Sequence, residues 1–569
     1  MPEKPWSDSD NSNSFEAKSP PSVFAKATES EQLETSDNPG LESPANPITR
    51  AHAPTATLVS PREHSQVLAV PRQCYQNRRR KAAVVLKVVW GGTITLHLFS
   101  WGFWLVLGLS GLISIPMLQL FTAHPRYQGG KLRQGVRGGL PQELPFISLL
   151  VAAKNEEAVI GDLVKNLCQL NYPKDCYELW VIDDNSTDQT PEVLKRLEQQ
   201  YDQLKVLHRQ VTGGGKSGAL NQVLPLVQGE ILGVFDADAQ VSTDLLQQVV
   251  PLFTNEQLGA VQVRKTISNA PLNFWTQSQA AEMGLDLFMQ HGRIGSGGFG
   301  ELRGNGQFVR RVALESCEGW NEETITDDLD LTFRLHLNRW GIELLTFPPV
   351  HEEGVTHWSA LWHQRNRWAE GGYQRYLDYW QLLIRNRMGT RKSLNALGFL
   401  MIQYLLPTIT IPDLLMAAML RRIPLTAPLA TLTIFCSFTG MIIGLRRIRQ
   451  FQVSYLAEAS STEKNLTEKS LTEESLESEN SESENSESEN SESETALASE
   501  SVRMDRVEPA IAYSNFQILL QSLRGTLYML HWFVVIGSTT LRMSVRPKRL
   551  KWIKTVHQGS LDSAPSDQA

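Results

Sequence analysis

Two aspartates separated by one residue follow a short apolar run near the middle of the chain. Asp236 and Asp238 come directly after Gly233–Phe235, and side chains alternate along a strand, so both carboxylates point to the same side. Converging carboxylates repel unless a cation lies between them, and oxygen-only ligands favour Mg²⁺ or Mn²⁺ over zinc. Such a metal can bridge two phosphates and neutralise charge on a leaving group. The sequence therefore predicts a divalent metal site at this pair.

A second acidic pair, Asp183 and Asp184, ends another apolar run that includes Val181 and Ile182. Acids at such strand ends accept hydrogen bonds from a ribose or nucleobase in nucleotide-binding folds. We therefore predict that this pair contacts a nucleotide. Asp188, a few residues further on, is expected instead to cap the helix that begins near Pro191.

A third acidic motif, Thr326-Asp327-Asp328, stands at the start of a helix predicted over 329–340. A carboxylate at that position could act as a general base and take a proton from a hydroxyl group. The alternative is that Asp327, Asp328 and Asp330 only complement the positive end of the helix dipole. The residues alone leave both interpretations open.

The fourth motif is the run Gln364-Arg365-Asn366-Arg367-Trp368. An arginine can pair with a diphosphate as it leaves, and an adjacent tryptophan can form a wall against a sugar or an alcohol acceptor. Taken by itself, the run could equally be packing at a membrane interface. Its chemistry depends on whether the fold brings it to the acidic motifs.

The segment that must position these motifs, from residue 144 to about 347, has the pattern of a soluble α/β domain. Short apolar runs alternate with helical segments, which predicts a largely parallel sheet with helices on both faces. Ligands of such sheets bind beyond the carboxyl ends of the strands, where the acidic motifs lie. The predicted strands are 147–153, 179–182, 205–208, 231–235 and 260–263, and the predicted helices are 158–170, 191–201, 218–227 and 245–253.

The four motifs, in this order, resemble those of the family 2 glycosyltransferases, which have a GT-A fold. The resemblance covers about residues 144–385 and implies a catalytic domain over 144–370. Asp236 and Asp238 would hold the metal, and Asp328 would be the general base, although Asp327 stands where the family has Glu. By the same resemblance the substrates would be bound by Asn155, Glu156, Asp183, Asp184, Lys216, Asp236, Gln364, Arg367 and Trp368.

Several segments resemble more specifically the membrane members of this family that glucosylate diacylglycerol. They are Gly213–Asn221, Phe235–Val241, Arg303–Phe308 and Arg367–Gly372. This resemblance implies UDP-glucose as the donor, the sn-3 hydroxyl of 1,2-diacylglycerol as the acceptor, Mg²⁺ as the cofactor and a β-linked product. An α-linked donor and a β-linked product imply a single displacement with inversion.

Long apolar segments on both sides of the catalytic domain predict a multi-pass membrane protein. Residues 82–121 suit a hairpin of two spans, with one long tilted helix as the alternative. Basic residues flank this stretch on both sides, which places both of its ends and the catalytic domain in the cytosol. The membrane would be the plasma or thylakoid membrane. Two more spans are predicted over 394–445 and one over 514–541.

The segment 371–390 has aromatic residues near one helical face and charged residues mostly on the other. This pattern predicts an amphipathic helix at the membrane interface. A helix packed into the protein core is the alternative, and the sequence favours neither.

The remaining segments are polar. Residues 1–75 and the end of 542–569 are predicted to be disordered, and 457–504 form an acidic low-complexity linker. The whole chain has 54 Lys and Arg against 61 Asp and Glu, a net charge of −7. The acidic linker supplies about −12 of this charge. The rest is therefore only mildly basic, and no nucleic-acid-binding motif is present, so we expect no nucleic acid partner.

Three alternative functions fit parts of the sequence. A processive polysaccharide synthase shares all four motifs but needs a translocation channel built from several spans. A P-loop ATPase is suggested by Gly215-Lys216-Ser217, but Gln210 stands where its phosphate loop needs glycine. An inactive membrane scaffold is disfavoured because every acid that the chemistry needs is present.

Overall fold

The structure is a computed structural model of the full chain, and it describes residues 75–123, 143–480 and 514–545. The predicted disordered tails, apart from residues 75 and 542–545, lie outside these residues, as does 481–504 of the acidic linker.

A sheet of eight strands forms the centre of the described catalytic domain. In space the strands follow the order β3-β2-β1-β4-β7-β6-β8-β5. They are β1 (Ile147–Ala153), β2 (Tyr177–Asp183), β3 (Leu204–His208), β4 (Ile231–Phe235), β5 (Gln240–Val241), β6 (Leu258–Ile267), β7 (Gln307–Arg310) and β8 (Gly341–Glu352).

The sheet is mixed. Strands β1, β2, β3 and β4 pair in parallel, and β6 pairs with β8 in the same sense. Strand β7 runs antiparallel between β4 and β6, and β5 runs antiparallel to β8. The predicted α/β class with a mostly parallel sheet is confirmed, while the antiparallel strands and β8 were not predicted.

Helices cover both faces of this sheet, and two apolar clusters fill the space between the layers. Strands β1 and β4 are buried along their whole length, which explains their continuous apolar sequences. The helices are α3 (Ile160–Cys168), α4 (Thr190–Glu198), α5 (Gly215–Val223), α6 (Leu245–Val249), α7 (Phe274–Gly295), α8 (Arg311–Glu315), α9 (Asp327–Leu337) and α10 (Trp358–Ile384).

Within the described ranges, four helical segments are long and apolar enough to cross a membrane. Helices α1 (Arg78–Leu98) and α2 (Gly102–Thr122) precede the catalytic domain and are joined by three residues. The other two follow it. One runs over Thr390–Leu420 and combines α11 (Thr390–Leu400), a π-helical turn and α12 (Leu406–Leu420), and the other is the apolar part of α13 (Ala427–Asn480).

The segment predicted as an interfacial helix, 371–390, comprises the largely buried second half of α10 and the mostly exposed residues that follow it. Tyr373, Tyr376 and Tyr379 pack in an apolar cluster, as the core-packed alternative requires. Part of the charged face is buried too, because Arg375 pairs with Glu301 at 2.7 Å and Asp378 with Arg78 at 2.5 Å. Arg385 and Arg387, further along the segment, are exposed.

The C-terminal apolar segment, predicted as one span over 514–541, forms two helices, α14 (Asn515–Met529) and α15 (His531–Val545). Helix α14 packs against α7 and α13, and α15 packs against α1, α10 and α12. This helix pair therefore packs both against the apolar helices and against the catalytic domain. Helix α13 also differs from prediction, since it continues to Asn480, into the segment expected to be an acidic linker.

Candidate active site

A cavity of about 740 Å³ lies beyond the carboxyl end of β4 and joins the catalytic domain to the apolar helices. Its polar side is formed by the segments that follow β4, the first turns of α5 and α9, and the first half of α10. Its apolar side is formed by α2, α7, α11, α13, α14 and α15. The polar lining includes Glu156, Lys216, Asp236, Asp238, Asp327, Asp328, Gln364, Arg367 and Trp368, so three of the four predicted motifs line one cavity.

The Asp236 and Asp238 side chains both line this cavity. Nζ of Lys216, in the first turn of α5, donates to Oδ1 of Asp236 at 2.5 Å. Burial opposes the charge of Lys216, but the nearby carboxylates of Asp236, Asp327 and Asp328 outweigh burial and raise the lysine pKa. Oδ2 of Asp238 accepts from the backbone N–H of Glu353 at 3.0 Å, which fixes its orientation. Both carboxylates are therefore held at the cavity wall.

These two aspartates have the chemistry of a Mg²⁺ or Mn²⁺ site. Among the described residues, no group of three or more His, Cys, Asp or Glu side chains could hold a metal ion by itself. Mg²⁺ in nucleotide sites typically takes one or two carboxylates and completes its shell with substrate phosphates and water. A pair of oxygen ligands at the wall of an open cavity fits that arrangement.

The third motif begins α9, and both of its acids face the cavity. Asp327 and Asp328 line the cavity, whereas Asp330 is buried and pairs with Arg334 at 2.7 Å. Burial, reinforced by the charge of Asp327, raises the pKa of Asp328 to about 6, against the opposing effects of Lys216 and Lys265. A carboxylate with that pKa is ionised at neutral pH and is a stronger base than an ordinary aspartate.

A glycine loop lies directly beside Asp328. Gly304 has φ of +84°, a conformation that L side chains rarely adopt, and a Cβ there would stand 3.4 Å from the Asp328 carboxylate. The neighbouring Arg303 pairs with Asp286 at 2.5 Å and with the buried Glu301 at 3.1 Å. The sequence predicts no individual role for these residues, although the run Arg303-Gly304-Asn305-Gly306 indicates a constrained loop.

The fourth motif occupies the first half of α10, where Gln364, Arg367 and Trp368 line the cavity. Burial lowers the pKa of Arg367, and Asp236, Asp327 and Asp328 act in the opposite direction. The Arg367 guanidinium is therefore stabilised by the carboxylates of the acidic motifs. This position suits a group that pairs with a diphosphate bound beside those motifs. Nζ of Lys265 lies 5.7 Å from the centre of the Trp368 ring and also lines the cavity, a contact that the sequence did not predict.

The predicted nucleotide-binding residues are close in the fold, but only Glu156 lines the cavity. Asp183 and Asp184 are buried at the end of β2, where Asp183 accepts from His208 and Asp184 pairs with Arg209 at 2.5 Å. Asn155 has φ of +54° and accepts from the backbone N–H of Thr187 at 2.7 Å. In this structure these side chains shape the loops beside the cavity.

The fold and site define a membrane-associated glycosyltransferase. Residues 144–371 match the family described as "Glycosyltransferase like family 2", and the relatives described next are similar along most of the chain. The chain belongs to this family of glycosyltransferases, which confirms the resemblance found in the motifs.

Curated relatives from cyanobacteria are named beta-monoglucosyldiacylglycerol synthase. The protein from Nostoc sp. is 54% identical over 87% of this chain and 92% of its own length. The protein from Synechocystis sp. is 49% identical over 86% of this chain and 90% of its own length. Among solved structures, a mannosyltransferase from Pyrobaculum calidifontis, in complex with GDP-mannose and Mn²⁺, is 19% identical with a TM-score of 0.42, covering 65% of this chain and 98% of that one.

Proposed function

We propose that this enzyme transfers glucose from UDP-glucose to the sn-3 hydroxyl of 1,2-diacylglycerol and forms β-monoglucosyldiacylglycerol. The names of the close cyanobacterial relatives support this product. The observation that carries the proposal is the two-sided cavity, in which the acidic motifs line one side and apolar helices line the other. A water-soluble donor and a lipid acceptor need those two surfaces at one place.

The apolar side of the cavity suits acyl chains. Met117 and Leu120 on α2, Phe288 on α7 and Ile434 on α13 line it, and α2 and α13 are candidate membrane spans. A lipid can therefore enter from the bilayer with its chains among these side chains. Its glycerol hydroxyl would then reach the polar side, where Asp328 lies.

Asp328 is the proposed general base. The hydroxyl of diacylglycerol is a poor nucleophile at neutral pH, so a carboxylate must take its proton as the new bond forms. The hydroxyl oxygen attacks the anomeric carbon on the face opposite the diphosphate, the bond to the diphosphate oxygen breaks, and the configuration inverts. The proton passes to Asp328, and no covalent bond between the sugar and the enzyme is needed.

Charged residues around the donor would stabilise the negative charge on the leaving diphosphate. Asp236 and Asp238 would hold Mg²⁺, and when bound this metal would neutralise negative charge on the departing diphosphate. Arg367 and Lys216 would pair with the same diphosphate, and Trp368 would form a wall beside the acceptor. Glu156 would contact the nucleoside, with Asn155, Asp183 and Asp184 holding the neighbouring loops in place.

The contacts at the start of α1 support a cytosolic catalytic domain in a multi-pass protein. Arg78 pairs with Asp378 on α10, and Lys81 donates to the carbonyl of Leu377 at 3.0 Å. The N-terminal end of α1 therefore lies against the catalytic domain, and Phe121 at the C-terminal end of α2 packs against Phe288 of α7. A hairpin with both ends on one side satisfies both contacts, and sugar nucleotides are made in the cytosol.

Product analysis tests the proposed function. The purified enzyme is incubated with labelled UDP-glucose, 1,2-diacylglycerol and Mg²⁺, and the products are separated into lipid extract and water-soluble polymer. We expect the label in a lipid that contains one glucose. Label in a glucose polymer would instead favour a processive polysaccharide synthase, and transfer from another nucleotide sugar alone would refute glucose as the donor sugar.

A further inference from the structure

The two faces of the motif on α10 have different neighbours. Gln364, Arg367 and Trp368 line the cavity, whereas Arg365 and Asn366 contact the C-terminal helices. Adjacent side chains of a helix point about 100° apart, so a five-residue motif has side chains on both faces of the helix. The face turned away from the cavity is therefore held by α14 and α15, which lie more than 150 residues further along the chain.

Arg365 is at the centre of a buried polar cluster. One of its terminal nitrogens, Nη2, donates to Oε2 of Glu282 at 2.6 Å and to the hydroxyl of Tyr528 at 2.9 Å. The indole N–H of Trp532 donates to the other oxygen of Glu282 at 3.1 Å. Arg365 is 1% exposed, and this cluster links α7, α10, α14 and α15.

The same guanidinium lies over the ring of Trp368. Its Cζ atom is 4.2 Å from the centre of that ring and 5.5 Å from the centre of the Trp532 ring. A cation at this distance is attracted to an aromatic face, and the attraction is larger when the pair is desolvated. The orientation of Trp368 therefore depends on where Glu282 and Tyr528 hold Arg365.

Helices α14 and α15 also form part of the cavity wall. Met529, Leu530 and Phe533 line its apolar side, and Trp532 lines it beside Glu282. Further along α15, Oδ1 of Asn366 accepts from the hydroxyl of Thr539 at 3.0 Å and from the guanidinium of Arg542. The C-terminal pair thus contacts both the cavity and the reverse face of the motif.

We propose that the C-terminal helix pair α14–α15 is part of the acceptor site, and that Tyr528 and Arg365 are positioning residues that set Trp368 against the lipid head. The inference rests on the proposed function, since it takes diacylglycerol as the acceptor. Neither Tyr528 nor Arg365 lines the cavity. Their effect is exerted through Trp368, while Met529 and Phe533 meet the acyl chains directly.

The variant Tyr528→Phe tests this positioning role because it removes one hydroxyl and keeps the aromatic packing. Initial rates are measured in detergent micelles at varied mole fractions of diacylglycerol, and separately at varied UDP-glucose. We expect the KM for diacylglycerol to rise about threefold to tenfold, less than the full loss of a hydrogen bond to a charged group, because the hydroxyl acts on the lipid only through Arg365 and Trp368. The KM for UDP-glucose and the slow hydrolysis of UDP-glucose without acceptor should stay at the parental values.

Arg524→Gln is the matched control, because Arg524 on α14 donates to Gln277 at 2.8 Å and does not line the cavity. It loses a polar contact of the same helix and should leave both KM values unchanged. A second variant, Arg365→Lys, keeps the charge but loses the planar group over Trp368, so it should raise the KM for diacylglycerol more than Tyr528→Phe does.

Two outcomes would overturn the inference. The first is a parental KM for diacylglycerol in both Tyr528→Phe and Arg365→Lys, and the second is an equal change in the KM values for donor and acceptor in these variants. Either result, obtained with a parental enzyme that glucosylates diacylglycerol, leaves the proposed function standing. A parental enzyme that forms no glucosylated diacylglycerol refutes the proposed function, and this inference with it.

Discussion

Asp327 and Asp328 are adjacent in the first turn of α9, and both face the cavity. Their environments nevertheless differ. Oδ1 of Asp328 accepts from the backbone N–H of Leu329 at 2.8 Å, whereas Oδ2 of Asp327 is buried with no hydrogen-bond partner among the described residues. Burial and the neighbouring charge of Asp327 raise the pKa of Asp328 to about 6. Because of this difference, we expect the two side chains to have separate roles in the reaction.

The pKa of Asp328 predicts an acid limb in the pH profile. The base must be ionised to accept a proton, so kcat/KM should rise with pH and level off above a pKa of about 6. Asp327→Asn removes one cause of the raised pKa but leaves burial, so it should move the limb to lower pH. The measurement is kcat/KM for UDP-glucose from about pH 5 to pH 8. An unmoved limb in Asp327→Asn would contradict the coupling.

Asp236 and Asp238 predict metal dependence. A chelator should abolish transfer, and added Mg²⁺ or Mn²⁺ should restore it, because both ions accept carboxylate and phosphate oxygens. Asp238→Ala should lose transfer at every metal concentration and keep the parental midpoint of thermal unfolding. Full activity in excess chelator would contradict the proposed metal role.

At the scale of elements, α10 contains both the predicted site residues and a segment, 371–390, for which the sequence leaves two interpretations open. Its motif could be identified because Gln364, Arg367 and Trp368 are chemically distinctive. The burial of its second half could not be predicted, because the partners of its charged residues lie far away in sequence. Arg375 pairs with Glu301, 74 residues earlier, and Asp378 pairs with Arg78, 300 residues earlier. A charged helical face has the same pattern whether water or buried countercharges cover it.

The buried ion cluster around Glu301 predicts a stability effect. Burial opposes its ionisation, but Arg293, Arg303 and Arg375 outweigh burial and hold the pKa of Glu301 well below its usual range. Removing one partner of a buried ion pair typically costs about 3 to 5 kcal/mol. Arg375→Gln should therefore lower the thermal unfolding midpoint in detergent clearly. Arg385→Gln, exposed at the end of α10, is the control and should not change it.

The sheet shows a similar limit. The local apolar runs of β1 to β4 could be predicted, and the observed strands contain them. Strand β7 has four residues and runs antiparallel between β4 and β6, whose positions in sequence are far from it. Helix α7 was missed as well, although its 22 residues supply Glu282 and Asp286 to the cavity. The pairing of β7 and the position of α7 depend on contacts between distant parts of the chain, so the local sequence gives little indication of them.

At the scale of the whole molecule, the hairpin of α1 and α2 contacts the catalytic domain at both of its ends, through Arg78 and through Phe121, which packs against Phe288. Arg78, within the basic run predicted to mark the cytosolic side, is itself buried and also donates to the carbonyl of Glu323 at 2.6 Å, on a residue that lines the cavity. A charge that looks like a topology signal in sequence therefore also fixes α1 to the active-site wall.

This attachment predicts the topology. A reporter fused near Gly139 and a second reporter fused to the N-terminus should both show cytosolic signals in intact cells. The reason is that a hairpin returns the chain to the side on which it started. A fusion after Leu98, between the two helices, is the control and should report the opposite side. A periplasmic or lumenal signal from Gly139 would contradict the hairpin.

Inverting transfer with Asp328 as the base is tested most directly by product stereochemistry together with the rates of two variants. The anomeric configuration of the glucolipid is determined by proton NMR, and turnover is compared between Asp328→Asn and Asp327→Asn. We expect a β-linked product, parental binding of UDP-glucose, and a rate for Asp328→Asn at least about a hundredfold below the parent. Asp327→Asn should be much less impaired. An α-linked product, or an Asp328→Asn variant as fast as the parent, would contradict this mechanism.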